Sequence, residues 1–141
     1  MEITSNTELP SIREEIELRT SDGEVLVGEI ALPKDKPVKV TLITLHPLPT
    51  HGGFMDSHLL RKMANRLPEL LSAAVLRFNT RGTTSPRGTS TGSFADGIGE
   101  RFDVEAAVKF CSERKLPKPW LIGWSFGTEL AIKYGPDLDI A

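Results

Sequence analysis

The pentapeptide Gly123–Gly127, with the sequence Gly-Trp-Ser-Phe-Gly, constrains this chain more than any other feature. It directly follows the apolar run Trp120–Ile122 and precedes a helix-like segment, Thr128–Tyr134, that is punctuated by Gly135–Pro136. A chain that passes from strand to helix within one residue turns so sharply that the turn residue, here Ser125, takes a positive φ. Small flanking residues prevent clashes in such a turn. The pattern therefore predicts a serine hydroxyl that stands clear at the end of a strand, the alternative being a buried serine at a glycine-lined turn.

Length and composition limit the classes of protein that need to be considered. A chain of 141 residues with 39% hydrophobic and 26% charged residues predicts one soluble domain with one core. The net charge of -2, with scattered lysines and arginines, indicates no nucleic-acid partner. Because no apolar run reaches membrane-spanning length and the first residues do not resemble a signal peptide, we expect a cytoplasmic protein without membrane contact. The single cysteine, Cys111, is expected to be an inert core thiol.

Four strands are predicted before the apolar run that leads into the pentapeptide, and that run is the fifth. Glu14–Arg19 alternates apolar and charged residues, and the turn Ser21–Glu24 leads into a second strand, Val25–Leu32. Val38–Leu45 is β-branched and increasingly apolar, which is typical of a strand in a covered sheet. Ala74–Phe78 is the next short strand.

Two helices are predicted, one before and one after the fourth of these strands. The first is capped by Asp56 or Ser57, is expected to end or kink at Pro68, and has an apolar face consisting of Leu59, Leu60, Met63 and Leu67. The second ends at Arg114–Lys115 and buries Val104, Ala107, Val108 and Cys111. Thr80–Gly99 is a long loop, and such length indicates function or mobility.

The order of elements predicts the fold class. An antiparallel hairpin that leads into alternating strands and helices is typical of an α/β fold with a mainly parallel sheet flanked by helices. Residues 1–12 are polar, contain a proline and are expected to form a loose leader, so the domain proper spans residues 13–141. The serine turn follows the fifth predicted strand.

Several motifs in this order resemble those of the α/β-hydrolase superfamily. Besides the pentapeptide they are His46–Gly53, Arg77–Gly82 and Gly97–Glu100, and they are similar to motifs of small bacterial enzymes related to dienelactone hydrolases, many of them uncharacterised esterases. The resemblance covers nearly everything after residue 12. It implies that residues 13–141 are the N-terminal half of such a fold, a truncated domain that ends just after the helix following the serine turn.

The resemblance implies a serine hydrolase that acts on an ester, thioester or related acyl bond of a small molecule, without a metal or an organic cofactor. Ser125 would be the nucleophile, with Gly123 and Gly127 as the glycines of its turn. An acyl-transfer site also needs backbone N–H groups that face the developing oxyanion, and Phe126 would supply one. The second comes from the loop after His46. Since proline has no N–H, Leu48 is the best candidate, the alternative being a plain proline-rich connector.

The remaining polar motifs suggest no second site. His46, His51 and His58 lack metal-ligand spacing, and His46 resembles the family's strand-end histidine, which shapes the oxyanion loop. Arg81 is expected to satisfy loop carbonyls, whereas a role for Arg81 or Arg87 in binding an anionic substrate is the secondary interpretation. No complete phosphate-binding glycine motif is present.

The sequence departs from the family pattern at the catalytic acid and base. In α/β hydrolases the nucleophile is followed along the chain by an acid and then a histidine. Here Asp137 and Asp139 do not match the usual acid, and no histidine follows His58. Without a base the serine is a poor nucleophile, so we expect little or no activity from this chain. The alternative is a non-catalytic fragment or interaction module that pairs through its exposed fifth strand, by self-association or with a missing C-terminal half.

Overall fold

The computed structural model describes residues 2–141, in which strands and helices alternate along the chain. The strands are β1 (Ile12–Arg19), β2 (Val25–Leu32), β3 (Val40–Leu45), β4 (Ala73–Phe78), β5 (Thr84–Ser85), β6 (Gly88–Thr89) and β7 (Pro119–Gly123). The helices are α1 (His58–Leu71), α2 (Glu100–Glu113) and α3 (Phe126–Tyr134). The strand predicted as the fifth is β7, because the two-residue strands β5 and β6 precede it.

Five strands form the main sheet, in the order β1-β2-β4-β3-β7. β1 and β2 are an antiparallel hairpin, β2 is antiparallel to β4, and β4, β3 and β7 are mutually parallel neighbours. Four strands therefore run in one direction and only β2 in the other. This architecture confirms the predicted α/β fold with a mainly parallel sheet.

Helices cover both faces of the sheet and bury its apolar side chains. α1 packs on β4 and β2 over a small cluster that includes Leu42, Ala64 and Val75. α2 and α3 pack on the other face over a larger cluster that includes Ile43 and Leu76. Because β4 is covered on both faces, all six of its residues are buried. The predicted inner face of α2 is confirmed, since all four of its members, including Cys111, are buried.

The first helix differs from its prediction in two respects. Leu59 is 49% exposed, and the buried stripe instead follows Leu60, Ala64 and Pro68 at intervals of four residues. Pro68 does not end the helix, which continues to Leu71. A proline inside a helix removes one backbone hydrogen bond, but here the residue is buried on the same helix face as Leu60 and Ala64, and this burial offsets part of that cost.

The segment Thr80–Gly99 is anchored rather than free. The Ser90 hydroxyl accepts a hydrogen bond from the Val27 N–H (2.9 Å) and donates one to the Asn79 carbonyl (2.7 Å). The expectation that Arg81 satisfies loop carbonyls is wrong, because its guanidinium binds carboxylates instead. A guanidinium that is largely buried is stabilised more by opposite charge than by neutral carbonyls.

The leader lies against α1. Residues 2–11 contain no strand or helix, but the Arg66 guanidinium donates to the carbonyls of Thr4 (2.7 Å) and Thr7 (3.3 Å). The Leu9 N–H donates to the Asn65 carbonyl at 2.9 Å. These bonds hold the leader beside the middle of α1.

Candidate active site

The C-terminal ends of the parallel strands β3 and β7 lie side by side. The two strands are parallel, with Leu45 opposite Gly123, and the Trp124 N–H donates to the Leu45 carbonyl at 3.1 Å. Because both chains leave the sheet at this point, residues that lie a few positions beyond each strand end are brought together.

Ser125 is the single residue between Trp124 and the start of α3. Its φ is 57° and its ψ is -115°, and the residue is exposed. The predicted positive φ is therefore confirmed, and the alternative of a buried serine is excluded. A non-glycine residue in this region carries strain of about 1–3 kcal/mol, which the surrounding structure must offset.

The two glycines of the turn leave no space for a side chain. A Cβ on Gly123 would lie 2.3 Å from the Gly127 carbonyl oxygen, and one on Gly127 would lie 2.0 Å from the Leu45 carbonyl oxygen. In each case the obstacle is backbone, which moves far less readily than a side chain. Glycine is therefore required at both positions if α3 is to start this close to β3.

The two predicted oxyanion donors have unused backbone N–H groups. Within residues 2–141, no acceptor takes the N–H of Leu48 or of Phe126. Leu48 lies three positions beyond Leu45 and Phe126 three positions beyond Gly123, so each donor is equally far from its strand end. Two free donors on adjacent strand exits are what stabilisation of an oxyanion requires.

His46 holds the peptide that carries the Leu48 N–H. Its Nε2 accepts the Thr80 N–H at 3.1 Å, so the ring proton lies on Nδ1, which donates to the Pro47 carbonyl at 2.7 Å. That carbonyl and the Leu48 N–H belong to one planar peptide group and point in opposite directions. Burial of the ring lowers the His46 pKa, so the imidazole is neutral. His46 thus orients the loop and has no free nitrogen to act as a base.

The part of the chain that the structure describes places no hydrogen-bonded base or acid on Ser125. Within residues 2–141, no side chain makes a hydrogen bond with its hydroxyl. His51 is exposed, and its Nδ1 lies 3.2 Å from the hydroxyl oxygen of Thr50, while Asp139 pairs with Lys118 at 3.0 Å. Across these described residues there is also no group of three His, Cys, Asp or Glu side chains that could hold a metal ion.

A buried charge network, which the sequence interpretation missed, lies on the α1 side of the sheet. Arg77 is 0% exposed, and its guanidinium donates to Glu29 (2.5 Å) and to Asp56 (2.5 Å). Arg13 (2.7 Å) and Arg87 (2.9 Å) also bind the Glu29 carboxylate. The only signal in the sequence is an arginine within the otherwise apolar strand β4.

A second network fastens the loop after β4. The guanidinium of Arg81 binds Asp103 on α2 (2.8 Å) and Asp22 in the β1–β2 turn (2.8 Å). Asp103 also accepts the Arg81 N–H at 2.9 Å. One arginine thus ties α2 and the hairpin to the loop that starts next to His46.

The ion pairs of Glu29, Asp56 and Asp22 predict acid unfolding, whereas burial raises the pKa of Asp103 to about 6 and acts in the opposite direction. Burial by itself would raise the pKa values of Glu29 and Asp56, but the guanidinium groups of Arg77 and its neighbours outweigh burial and lower both. Hydrogen bonds from Arg81 lower the Asp22 pKa to about 2. Since a lowered carboxyl pKa stabilises the fold above the unfolded-state pKa, this contribution is lost as the pH falls through the folded-state pKa. We expect urea midpoints that are level at neutral pH and fall between about pH 5 and about pH 2. Midpoints that stay constant or rise across this window would contradict the prediction.

Comparison with known proteins identifies the fold. No protein-family model and no curated protein sequence matches the chain significantly. An α/β serine hydrolase without a lid from Xanthomonas campestris matches 96% of the chain with 33% identity and a TM-score of 0.79. An α/β serine hydrolase homologue from Coxiella burnetii matches 97% with 30% identity and a TM-score of 0.75.

A third structure supports the fold alone. An esterase from Pyrococcus furiosus matches 92% of the chain with 24% identity and a TM-score of 0.76. The chain spans 61% and 60% of the Xanthomonas and Coxiella proteins and 48% of this esterase. Among the helices of residues 2–141, none combines the length and apolarity that crossing a lipid bilayer requires. The chain therefore has an α/β-hydrolase fold, consistent with the N-terminal part of the serine hydrolases that it matches.

Proposed function

We propose that this chain carries the nucleophile and the oxyanion hole of a serine hydrolase that cleaves an ester, thioester or related acyl bond of a small molecule. The observation that carries the proposal is the exposed Ser125, with a φ of 57°, on the strand exit beside that of β3. The similarity to proteins described as serine hydrolases supports it.

Each residue of the site has one role in this mechanism. The Ser125 hydroxyl oxygen attacks the acyl carbon, and the carbonyl electrons move to the oxygen, which accepts the N–H groups of Leu48 and Phe126. When the tetrahedral intermediate collapses, the alcohol or thiol leaves and an acyl-enzyme remains, which water then hydrolyses. The serine proton must pass to a base, which then gives it to the departing oxygen or sulfur. In our proposal this base and its acid partner lie outside residues 2–141. The chain by itself therefore hydrolyses its substrate slowly.

A fluorophosphonate probe tests the assignment of the nucleophile. We expect slow labelling of this chain on Ser125, because the turn and the oxyanion donors remain without a base. Labelling should disappear in Ser125→Ala and persist in Ser93→Ala, which removes another exposed serine. Peptide mass mapping would locate the adduct. Equal labelling of the chain and its Ser125→Ala variant would end the catalytic assignment.

A second candidate function is pairing through the free edge of β7, which two observations favour. Among the described residues β7 is hydrogen-bonded as a strand only to β3, and Trp120 on it is 57% exposed. The Ala141 N–H donates to the Pro119 carbonyl at 2.9 Å, so the chain after α3 already returns to this edge. An open apolar edge favours strand addition by another segment or by a second copy. Sedimentation that shows a monomer at all concentrations, together with a sharp two-state melt, would exclude self-association.

A further inference from the structure

A polar cavity lies at the edge of the sheet formed by β1 and β2, away from the edge strand β7 that leads to Ser125. It has a volume of about 430 Å³ and lies between the leader, α1 and the β1–β2 hairpin. In the strand order of the sheet, β1 and β2 lie at one edge and β7 lies at the opposite edge. The cavity is therefore separate from the candidate active site.

Cationic side chains dominate the lining. Four basic side chains (Arg13, Arg61, Lys62 and Arg87) face two carboxylates (Glu8 and Glu29). The whole chain carries a net charge of -2, so this excess of positive charge is local. The Glu29 carboxylate in this lining is already bound by three guanidinium groups. It therefore attracts no further cation.

The fold does not account for two of these cations. Within residues 2–141, neither Arg61 nor Lys62 has an ion-pair partner or a side-chain hydrogen bond. They are the fourth and fifth residues of α1, whose first turn contains no acidic residue. Positive charge near a helix N-terminus opposes the helix dipole and lowers stability. A bound anion would reverse this effect.

We propose that the cavity binds a small organic phosphate monoester. Guanidinium groups match phosphate oxygens in pairs, and a dianion would balance the local excess of positive charge. The volume lies in the range of small-molecule sites, which leaves space for an organic group beyond the phosphate. Ser5, Asn6 and Asn65 line the remaining wall and offer hydrogen bonds to hydroxyl groups of that part.

Nuclear magnetic resonance titration of the chain tests this proposal, with glycerol 2-phosphate and inorganic phosphate as probes at constant ionic strength set by sodium chloride. We expect saturable shifts at the amides of Ser5, Lys62 and Asn65, and tighter binding of the monoester. The double variant R61A/K62A should bind the monoester at least about tenfold more weakly, because two nearby charges are lost. Its thermal unfolding should be unchanged or slightly raised, since both side chains lack partners.

The double variant K34A/K39A is the matched control. It removes the same charge from two exposed lysines that have no ion pair within residues 2–141 and lie in the loop before β3. We expect it to retain binding. If both double variants bound the monoester equally weakly, the effect would come from net charge and not from a site. If the titration gave no saturable chemical-shift changes, the proposed binding site would be wrong. If inorganic phosphate and the monoester bound equally well, the proposal that the cavity recognises an organic group would be wrong.

Discussion

Replacing Gly127 by alanine should destabilise the chain by about 3 kcal/mol or more and abolish labelling of Ser125. The new Cβ would lie 2.0 Å from the Leu45 carbonyl oxygen and 2.8 Å from the Leu45 Cβ. Because the first of these obstacles is strand backbone, α3 must move away from β3, and the turn that gives Ser125 its positive φ is lost. Urea denaturation measures the first effect and fluorophosphonate labelling measures the second.

Gly135→Ala provides the matched control for this substitution. Gly135 lies at the other end of α3 with a φ of -53°, and its Cβ would meet only the ends of the Ile140 and Leu121 side chains, at 3.4 Å. We expect a change in the free energy of unfolding within about 1 kcal/mol and unchanged labelling. If Gly127→Ala were as stable and as reactive as Gly135→Ala, the close contact of α3 with β3 would not be required for the site.

Glu29→Gln should destabilise the chain by about 3–5 kcal/mol, the range for a buried ion pair that loses one partner. Glu29 is 4% exposed and balances the charge of Arg77, which is 0% exposed. An amide of the same size keeps the packing and removes the charge, so Arg77 retains Asp56 as its only carboxylate. Equilibrium unfolding in urea gives the free energy, and the acid-dependent loss of stability described above should become smaller.

The control for Glu29→Gln lies directly opposite in the sheet. Glu15 is the register partner of Glu29 on β1, is exposed and makes no ion pair within residues 2–141. We expect Glu15→Gln to change stability by less than about 0.5 kcal/mol. A double-mutant cycle with Arg77→Met should show strong coupling between Arg77 and Glu29. If the two substitutions had additive effects on the free energy of unfolding, the charge network would contribute to stability through packing alone.

The sequence predicts the five strands of the main sheet, the first hairpin and the serine turn because each depends on residues that are neighbours in the chain, whereas the short pair β5 and β6 lies in a segment predicted as a loop. β2 has the predicted bounds, since its alternation and the preceding turn are local signals. The ion pair between Arg77 and Glu29 joins residues 48 positions apart, and nothing in the local pattern identifies the partner. The exposure of Leu59 was missed for a related reason. Several apolar residues on α1 could form its buried face, and the position of the sheet selects among them.

Part of the candidate site follows from the same local signals. The positive φ of Ser125 is predictable because the turn and its two glycines lie within five residues. The role of His46 is not, because it depends on the Thr80 N–H, which is 34 positions away. The carboxylate partners of Arg81 were missed because they come from a turn and a helix on either side of it.

A structure of the phosphonylated chain would show whether Ser125 and the two N–H groups act on the same acyl oxygen. If Ser125 is the nucleophile of a preformed oxyanion hole, the phosphonyl oxygen of the adduct should lie about 2.7–3.1 Å from both the Leu48 and the Phe126 nitrogen. The φ of Ser125 should stay near 57°. An adduct on another residue, or a phosphonyl oxygen that faces solvent with both N–H groups unused, would contradict the account.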